Sequence, residues 1–222
     1  MKELKDSGAR VVGLFCSFVP LELGKLNPAP MSGYEIGTRL DAGSFCFDLD
    51  ERCDEIEQRT AEIIADWKAR KEGHPSDRPR ILVTGCPNGG VREKIIRAVE
   101  ELGADVVAFD TCNGIREKVD PVDETNPDVY EALAIKYLNI NCSVMSPNQN
   151  RLDYIEEMVS SYQIDGVIEI VLQSCHTYDI EAYYVKRLVC EKLGRPVFSD
   201  PMGRYAGALG AALVARDGKK AT

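Results

Sequence analysis

Short runs of apolar residues alternate with amphipathic segments from residue 78 to residue 200. Four of the apolar runs have the length and composition of buried strands: 80–85, 104–110, 165–173 and 196–200. Four other segments predict the helices of this region: 91–102, 127–138, 151–163 and 179–193. This alternation predicts an α/β fold, in which a parallel sheet carries helices on both faces.

The apolar members of the first two of these helices form the stripes that identify them. In the first helix they are Ile95, Ile96, Val99 and Leu102, and in the second they are Val129, Leu133, Ile135 and Leu138. Gly103 follows the first helix, where a glycine in the left-handed conformation commonly ends a helix.

The first 77 residues give a weaker pattern. Val11 to Val19 predicts a short strand, and the Pro- and Gly-rich residues 26–37 predict a loop. Asp54 to Arg70 predicts an amphipathic helix, followed by a polar linker that ends near residue 78. We therefore predict three parts: a shortened N-terminal region (1–77), an α/β domain (78–200) and a C-terminal helix of small residues (201–222).

Composition narrows the classes of function. The formal net charge of −9 argues against binding to nucleic acid or to an anionic membrane, because both require clustered Lys and Arg. No apolar run has the length of a membrane span, and the charged start is not that of a signal peptide. A cytoplasmic location is therefore expected, and the eight cysteines indicate metal or redox chemistry rather than disulfides.

Three of the cysteines directly follow predicted strands: Cys86, Cys112 and Cys175. Crossovers of one hand bring the carboxyl ends of parallel strands to one edge of a sheet, so these thiols should meet there. Cys142 lies on a loop that can reach the same edge. Converging thiolates suit zinc or an iron–sulfur cluster, and the absence of C-x-x-C pairs argues against structural zinc. The residues alone leave a cluster and purely structural cysteines both open.

Other interpretations of the same residues are weaker. The glycine-rich turn GCPNGG could bind phosphate, but it lacks the ending of a P-loop. Cys175 and His176 could form a nucleophile–base pair, although sequence neighbours at a strand end tend to point apart. Cys112 and Arg116 have the spacing C-x3-R, which differs from that of a phosphatase loop. Cys16 and Cys190 are expected to be core residues.

Three segments together resemble a known family: ILVTGCPNGGVREKIIRAVEELGADVVAFDTCNG, NCSVMSPNQNRLDYIEEMV and DGVIEIVLQSCHTYDIEAYYVKRLV. They look like the C-terminal half of the 2-hydroxyacyl-CoA dehydratase D-component family. Within that family, GCPNGG and QSCHTY are most similar to the double-cubane cluster proteins.

The resemblance implies a flavodoxin-like or Rossmann-like fold and an iron–sulfur cluster, either [4Fe-4S] or double-cubane [8Fe-9S]. It implies an ATP-hydrolysing activator that supplies low-potential electrons for the reduction or dehydration of a small molecule or acyl-CoA, with a dimer as one assembly it allows. Carried over by position, the cluster ligands are Cys86, Cys112, Cys142 and Cys175.

Both ends of the chain depart from that family's pattern. Its members usually have a complete first α/β domain with a cysteine motif that is not visible here, so Cys46 and Cys53 are only weaker candidates for ligands. The C-terminal GALGAAL is similar to the last helix of the activator proteins, but a nucleotide site is absent and a packing helix is expected.

Three hypotheses follow from the sequence. The first is an iron–sulfur dehydratase or reductase, and the second is a cluster carrier without catalytic activity. The third is a metal-free flavodoxin-like binding domain with buried cysteines.

Overall fold

The computed structural model describes residues 21–42, 49–70, 75–86, 91–112, 116 and 122–194. A short 3₁₀ helix, Leu21–Lys25, precedes the regular elements. In chain order these are α1 (Gly33–Ala42), α2 (Leu49–Arg70), β1 (Arg80–Gly85), α3 (Val91–Glu101), β2 (Asp105–Asp110), α4 (Val129–Leu138), α5 (Gln149–Ser161), β3 (Gly166–Ile170) and α6 (His176–Leu193).

The strands form a parallel sheet in the order β2-β1-β3. Central strand β1 pairs Leu82 with Ala108 of β2 and with Val167 of β3. Leu82 and Val83 are fully buried, as is Ile96 of α3, so the core lies between the sheet and its surrounding helices. The predicted class, an α/β flavodoxin-like fold built on a parallel sheet, is confirmed.

The predicted strands match the observed ones closely, with one difference at β3. That strand ends at Ile170 rather than at residue 173, because its partner β1 ends at Gly85, which pairs with Ile170. Gly85 has a φ of +110°, and a Cβ there would lie 2.1 Å from the carbonyl oxygen of Ile170. Glycine is therefore required where the chain turns away from the sheet.

The prediction of a loop over residues 26–37 was wrong for its last part, because α1 begins at Gly33. The Glu100 carboxylate of α3 accepts hydrogen bonds from the backbone N–H groups of Gly33 and Tyr34. An anion at a helix N-terminus satisfies the N–H groups that lack partners within the helix. A contact across 67 residues is not visible in the local sequence.

Two predicted apolar stripes differ from the buried faces. Leu102 is 88% exposed, because α3 ends one residue before it and Gly103 turns the chain with φ +97°. In α4 the buried residue is Ala132. The four residues of the predicted stripe are 37–67% exposed: Val129, Leu133, Ile135 and Leu138. Apolar composition thus predicted the helix α4 but not its buried face.

Several predictions fall outside the described residues: the strand over Val11–Val19, the strand at 196–200 and the C-terminal helix. The division at residues 77 and 200 remains a prediction. No helix in the described part of the chain is both long and apolar enough to span a membrane.

Arg80, at the start of β1, ties the N-terminal segment to the sheet. Its side chain is buried and donates to the carbonyl oxygens of Tyr162, Leu26 and Gly24. One guanidinium thus satisfies a carbonyl group at the C-terminus of α5 and two in and just after the 3₁₀ helix.

A second buried group of charges lies at the opposite end of the sheet. Asp110, the last residue of β2, is fully buried. Its Oδ2 accepts from Arg151 Nε at 3.0 Å and from Thr84 Oγ1 at 2.7 Å, and its Oδ1 accepts from Arg116 Nε at 2.8 Å. Burial opposes ionisation of Asp110, but these hydrogen bonds and the two guanidinium charges hold the pKa of its carboxyl below the usual range.

Arg151 extends this group to the helices. Its Nη1 donates to Glu181 Oε2 of α6 at 3.1 Å, and its Nη2 donates to Thr84 Oγ1 of β1 at 2.9 Å. We call Asp110, Arg116, Arg151, Glu169 and Glu181 the buried ionic cluster.

Glu169 of β3 is the least compensated member of the buried ionic cluster. Its Oε1 lies 3.8 Å from Arg151 Nη2 and has no hydrogen-bond donor within reach in the described structure. Burial, with the nearby charges of Asp110 and Glu181, raises the pKa of Glu169 to about 7, against the attraction of Arg151 and Arg116.

Replacing Arg80 by Met should remove the donor from three carbonyl groups while keeping an apolar chain of similar length. We expect the free energy of unfolding to fall by about 3 kcal/mol, since each buried unsatisfied group costs about 1–3 kcal/mol. Chemical denaturation measures this change, with the exposed Arg187→Met as control. Equal stability of both variants would contradict the role assigned to Arg80.

Replacing Glu169 by Gln should change how stability depends on pH. A carboxyl whose folded pKa of about 7 exceeds its ordinary 4.5 stabilises the fold below pH 4.5, and this contribution is lost as pH rises through 7. Between pH 5 and 8, the free energy of unfolding of Glu169→Gln should therefore rise by roughly 2–3 kcal/mol relative to that of the wild type. Glu157→Gln, at an exposed residue of α5, is the control. Parallel dependence of stability on pH in all three proteins would refute the raised pKa of Glu169.

Candidate functional site

The carboxyl ends of the three strands lie side by side, and a cysteine follows each of them. Cys86 comes directly after β1, Cys112 is the second residue after β2, and Cys175 precedes the first residue of α6. Because β1 is the central strand, Cys86 lies at a strand end that is between the ends of β2 and β3.

Cys86 and Cys175 lie next to each other in different surroundings. Cys86 is buried, its N–H donates to Ile170 O at 2.8 Å, and its Sγ accepts from Leu172 N at 3.4 Å. The Leu172 carbonyl oxygen also accepts a hydrogen bond from Cys175 N at 3.0 Å, so both cysteines contact Leu172. Burial raises the pKa of the Cys86 thiol, whereas the Tyr178 N–H and the Thr177 hydroxyl lower the pKa of Cys175.

Cys112 faces Tyr178 and Arg116. Its Sγ lies 2.8 Å from Tyr178 Oη and 3.5 Å from Arg116 Nη1. A negative charge on Cys112 adds to the raised pKa of the Cys86 thiol. The three cysteines thus follow the adjacent carboxyl ends of β1, β2 and β3.

The loop that carries Cys142 packs beside the start of α6. Asn148 Nδ2 donates to Cys142 O at 2.8 Å and to Glu181 Oε2 at 2.9 Å, and Ser143 Oγ lies 3.5 Å from Thr177 Oγ1. The backbone of this loop therefore reaches the edge as expected. The structure gives no contact between the Cys142 side chain and the other three thiols.

The remaining candidates are placed elsewhere. Cys53 is half-buried within α2 and makes no contact with Cys86, Cys112 or Cys175. Cys46 and Cys16 lie outside the described residues, as does most of the GCPNGG turn. Cys190 is partly buried in α6. His176 is the exposed first residue of α6.

Sequence reasoning missed the groups behind the thiols, chiefly Tyr178, Arg151 and Glu169. A carboxylate that ends an apolar run, as Asp110 does, indicates a buried charge that needs cations. Arg151 gives no such signal, because an arginine near a helix N-terminus is usually solvated.

The donors at this edge have the chemistry of a sulfur-liganded centre. Thiolates are the usual ligands of iron–sulfur clusters, and Leu172 N–H, Tyr178 and Arg116 are placed to stabilise negative charge on sulfur. As the side chains stand, no three Cys, His, Asp or Glu groups in the described ranges are close enough to share a single metal ion. The types of side chain present therefore fit a sulfur-liganded centre. These side chains would have to move for several of them to bind it together.

Comparison with known proteins identifies the family of this chain. The family model described as "2-hydroxyglutaryl-CoA dehydratase, D-component" matches residues 21–199. The protein named "Putative dehydratase subunit YjiM" from Escherichia coli is 44% identical over 174 residues, which cover 78% of this chain and 45% of that protein. The chain thus spans less than half the length of this relative. These matches show that the chain belongs to the 2-hydroxyglutaryl-CoA dehydratase D-component family.

Proposed function

We propose that this chain is an iron–sulfur protein of the dehydratase type, and that Cys86, Cys112, Cys142 and Cys175 hold its cluster. The observation that carries the proposal is that Cys86, Cys112 and Cys175 follow three strands whose carboxyl ends lie side by side. Family membership supports it. The cluster is either a [4Fe-4S] or a double-cubane [8Fe-9S] centre.

The proposed reaction is the reduction or dehydration of a small molecule, with an acyl-CoA as the first substrate class to test. An ATP-dependent activator would deliver the electrons, and the cluster, when bound, would supply them at low potential. The relative's name calls it a dehydratase subunit, which supports action alongside other proteins. A cytoplasmic location is part of the proposal.

The chain's own residues would define the surroundings of the cluster. Cys86 is the deepest ligand, and its sulfur is fixed by the N–H of Leu172 at 3.4 Å. Cys175 is held at the N-terminus of α6, where the N–H of Tyr178 favours the thiolate. Arg116 places a positive charge beside Cys112, which offsets part of the negative charge of the liganding thiolates.

A metal-free binding domain is the second candidate. It is favoured by the lack, within the described residues, of three side chains that converge on one ion. In that case the thiols would serve packing, as buried free cysteines often do.

Anaerobic purification followed by iron and acid-labile sulfide analysis separates these two functions. Replacing Cys112 or Cys175 by Ser should abolish cluster loading, because a serine oxygen is a poor substitute for a thiolate ligand. Circular dichroism should show the sheet intact in both variants. Cys142→Ser should also lose iron, which tests the one proposed ligand whose side chain makes no contact, within the described part of the chain, with the residues around the other three.

Cys190→Ser is the matched control, since Cys190 lies in α6 away from the strand ends. It should retain the iron and sulfide of the wild type. Stoichiometric iron in both Cys112→Ser and Cys175→Ser would refute the assignment, and a colourless, iron-free wild type would favour the metal-free domain. Turnover of an acyl-CoA with an activator present would distinguish an enzyme from a carrier.

A further inference from the structure

We propose that Tyr178, oriented by Arg116, donates a hydrogen bond to the Cys112 sulfur and thereby positions this ligand and raises the reduction potential of the centre bound there. This inference rests on the proposed function. It assigns a role to two residues that are not themselves ligands.

The direction of the hydrogen bond follows from the partners of the Tyr178 hydroxyl. Arg116 Nη1 donates to Tyr178 Oη, and a guanidinium has donors but no acceptor. As a cluster ligand, Cys112 would be a thiolate with no proton to donate. The single phenolic proton would therefore be directed at Cys112 Sγ, which lies 2.8 Å away.

The Tyr178 side chain is enclosed at this edge. It is buried, with 4% of its surface exposed, and its hydroxyl contacts both Arg116 and Cys112. A buried ring with fixed partners holds its hydroxyl in one position beside the sulfur.

Arg116 cannot move without breaking the buried ionic cluster. Its Nη2 donates to the backbone and carboxylate oxygens of Asp110, each at 2.9 Å. The guanidinium groups of Arg116 and Arg151 lie 5.2 and 5.7 Å from the centre of the Tyr178 ring, within range of cation–π attraction. The ring is therefore fixed by the same charges that join the strands to α5 and α6.

A donor aimed at a ligating sulfur favours the reduced state. Reduction adds negative charge, which spreads onto the ligand sulfurs, and hydrogen bonds to those sulfurs are among the groups that set cluster potentials. Tyr178 and Arg116 together direct two donors at Cys112. Removal of the phenolic donor should thus make reduction harder without removing a ligand.

The test is Tyr178→Phe in the anaerobically purified full chain, with Tyr184→Phe as control because Tyr184 lies on the same helix and is 48% exposed. Iron and sulfide content are measured first, and then the midpoint potential by redox titration monitored by electron paramagnetic resonance. We expect unchanged iron in both variants and a more negative midpoint potential only in Tyr178→Phe.

The possible failures are distinguishable. Full iron with an unchanged potential in Tyr178→Phe would overturn the role of Tyr178 and leave the proposed function standing. An equal shift in Tyr184→Phe would also overturn it, since the effect would not belong to the Cys112 contact. A wild-type protein without iron would overturn both the role of Tyr178 and the proposed function, because Cys112 would then ligate no cluster.

Discussion

The ion pair between Asp110 and Arg151 is the interaction on which the functional edge depends. Both side chains are fully buried, and loss of one partner from such a pair typically costs about 3–5 kcal/mol, because it leaves an uncompensated charge in the interior. Arg151 also donates to Thr84 and Glu181. One guanidinium therefore joins β1, β2, α5 and α6, and it fixes where the loops that carry Cys142 and Cys175 leave the helices.

The thiols at this edge are not equivalent, and the difference comes from the backbone and side chains around each of them. Cys86 is enclosed at the centre of the sheet and has one N–H donor. Cys175 lies at the surface on a helix N-terminus, while Cys112 faces a phenol and a guanidinium. Each sulfur thus has its own source of stabilisation for negative charge. Such a setting suits a shared anionic centre better than three unrelated packing positions.

The sequence predicted what local patterns and topology determine. Apolar runs predicted β1 and β2 to within one residue, and the rule that parallel strands share one carboxyl edge predicted that Cys86, Cys112 and Cys175 follow adjacent strand ends. The prediction failed where a contact with a residue far away in the sequence determines the local structure. Helix α1 starts at Gly33 because Glu100 accepts its N–H groups, and the burial of Arg151 depends on acceptors from three other elements. Neither contact leaves a periodic signal in the chain.

The long distance in sequence between the cysteines explains why this fold need not depend on metal. In zinc fingers, closely spaced cysteines bind the ion that organises the surrounding chain, so binding and folding coincide. Here Cys86 and Cys175 are 89 residues apart by their numbers in the sequence, and they meet only after β1 has paired with β3. The apolar core and the buried ionic cluster join these elements through the chain's own residues. We therefore expect the sheet to form before a cluster binds, because the thiols become neighbours through strand pairing and not through their spacing in the sequence.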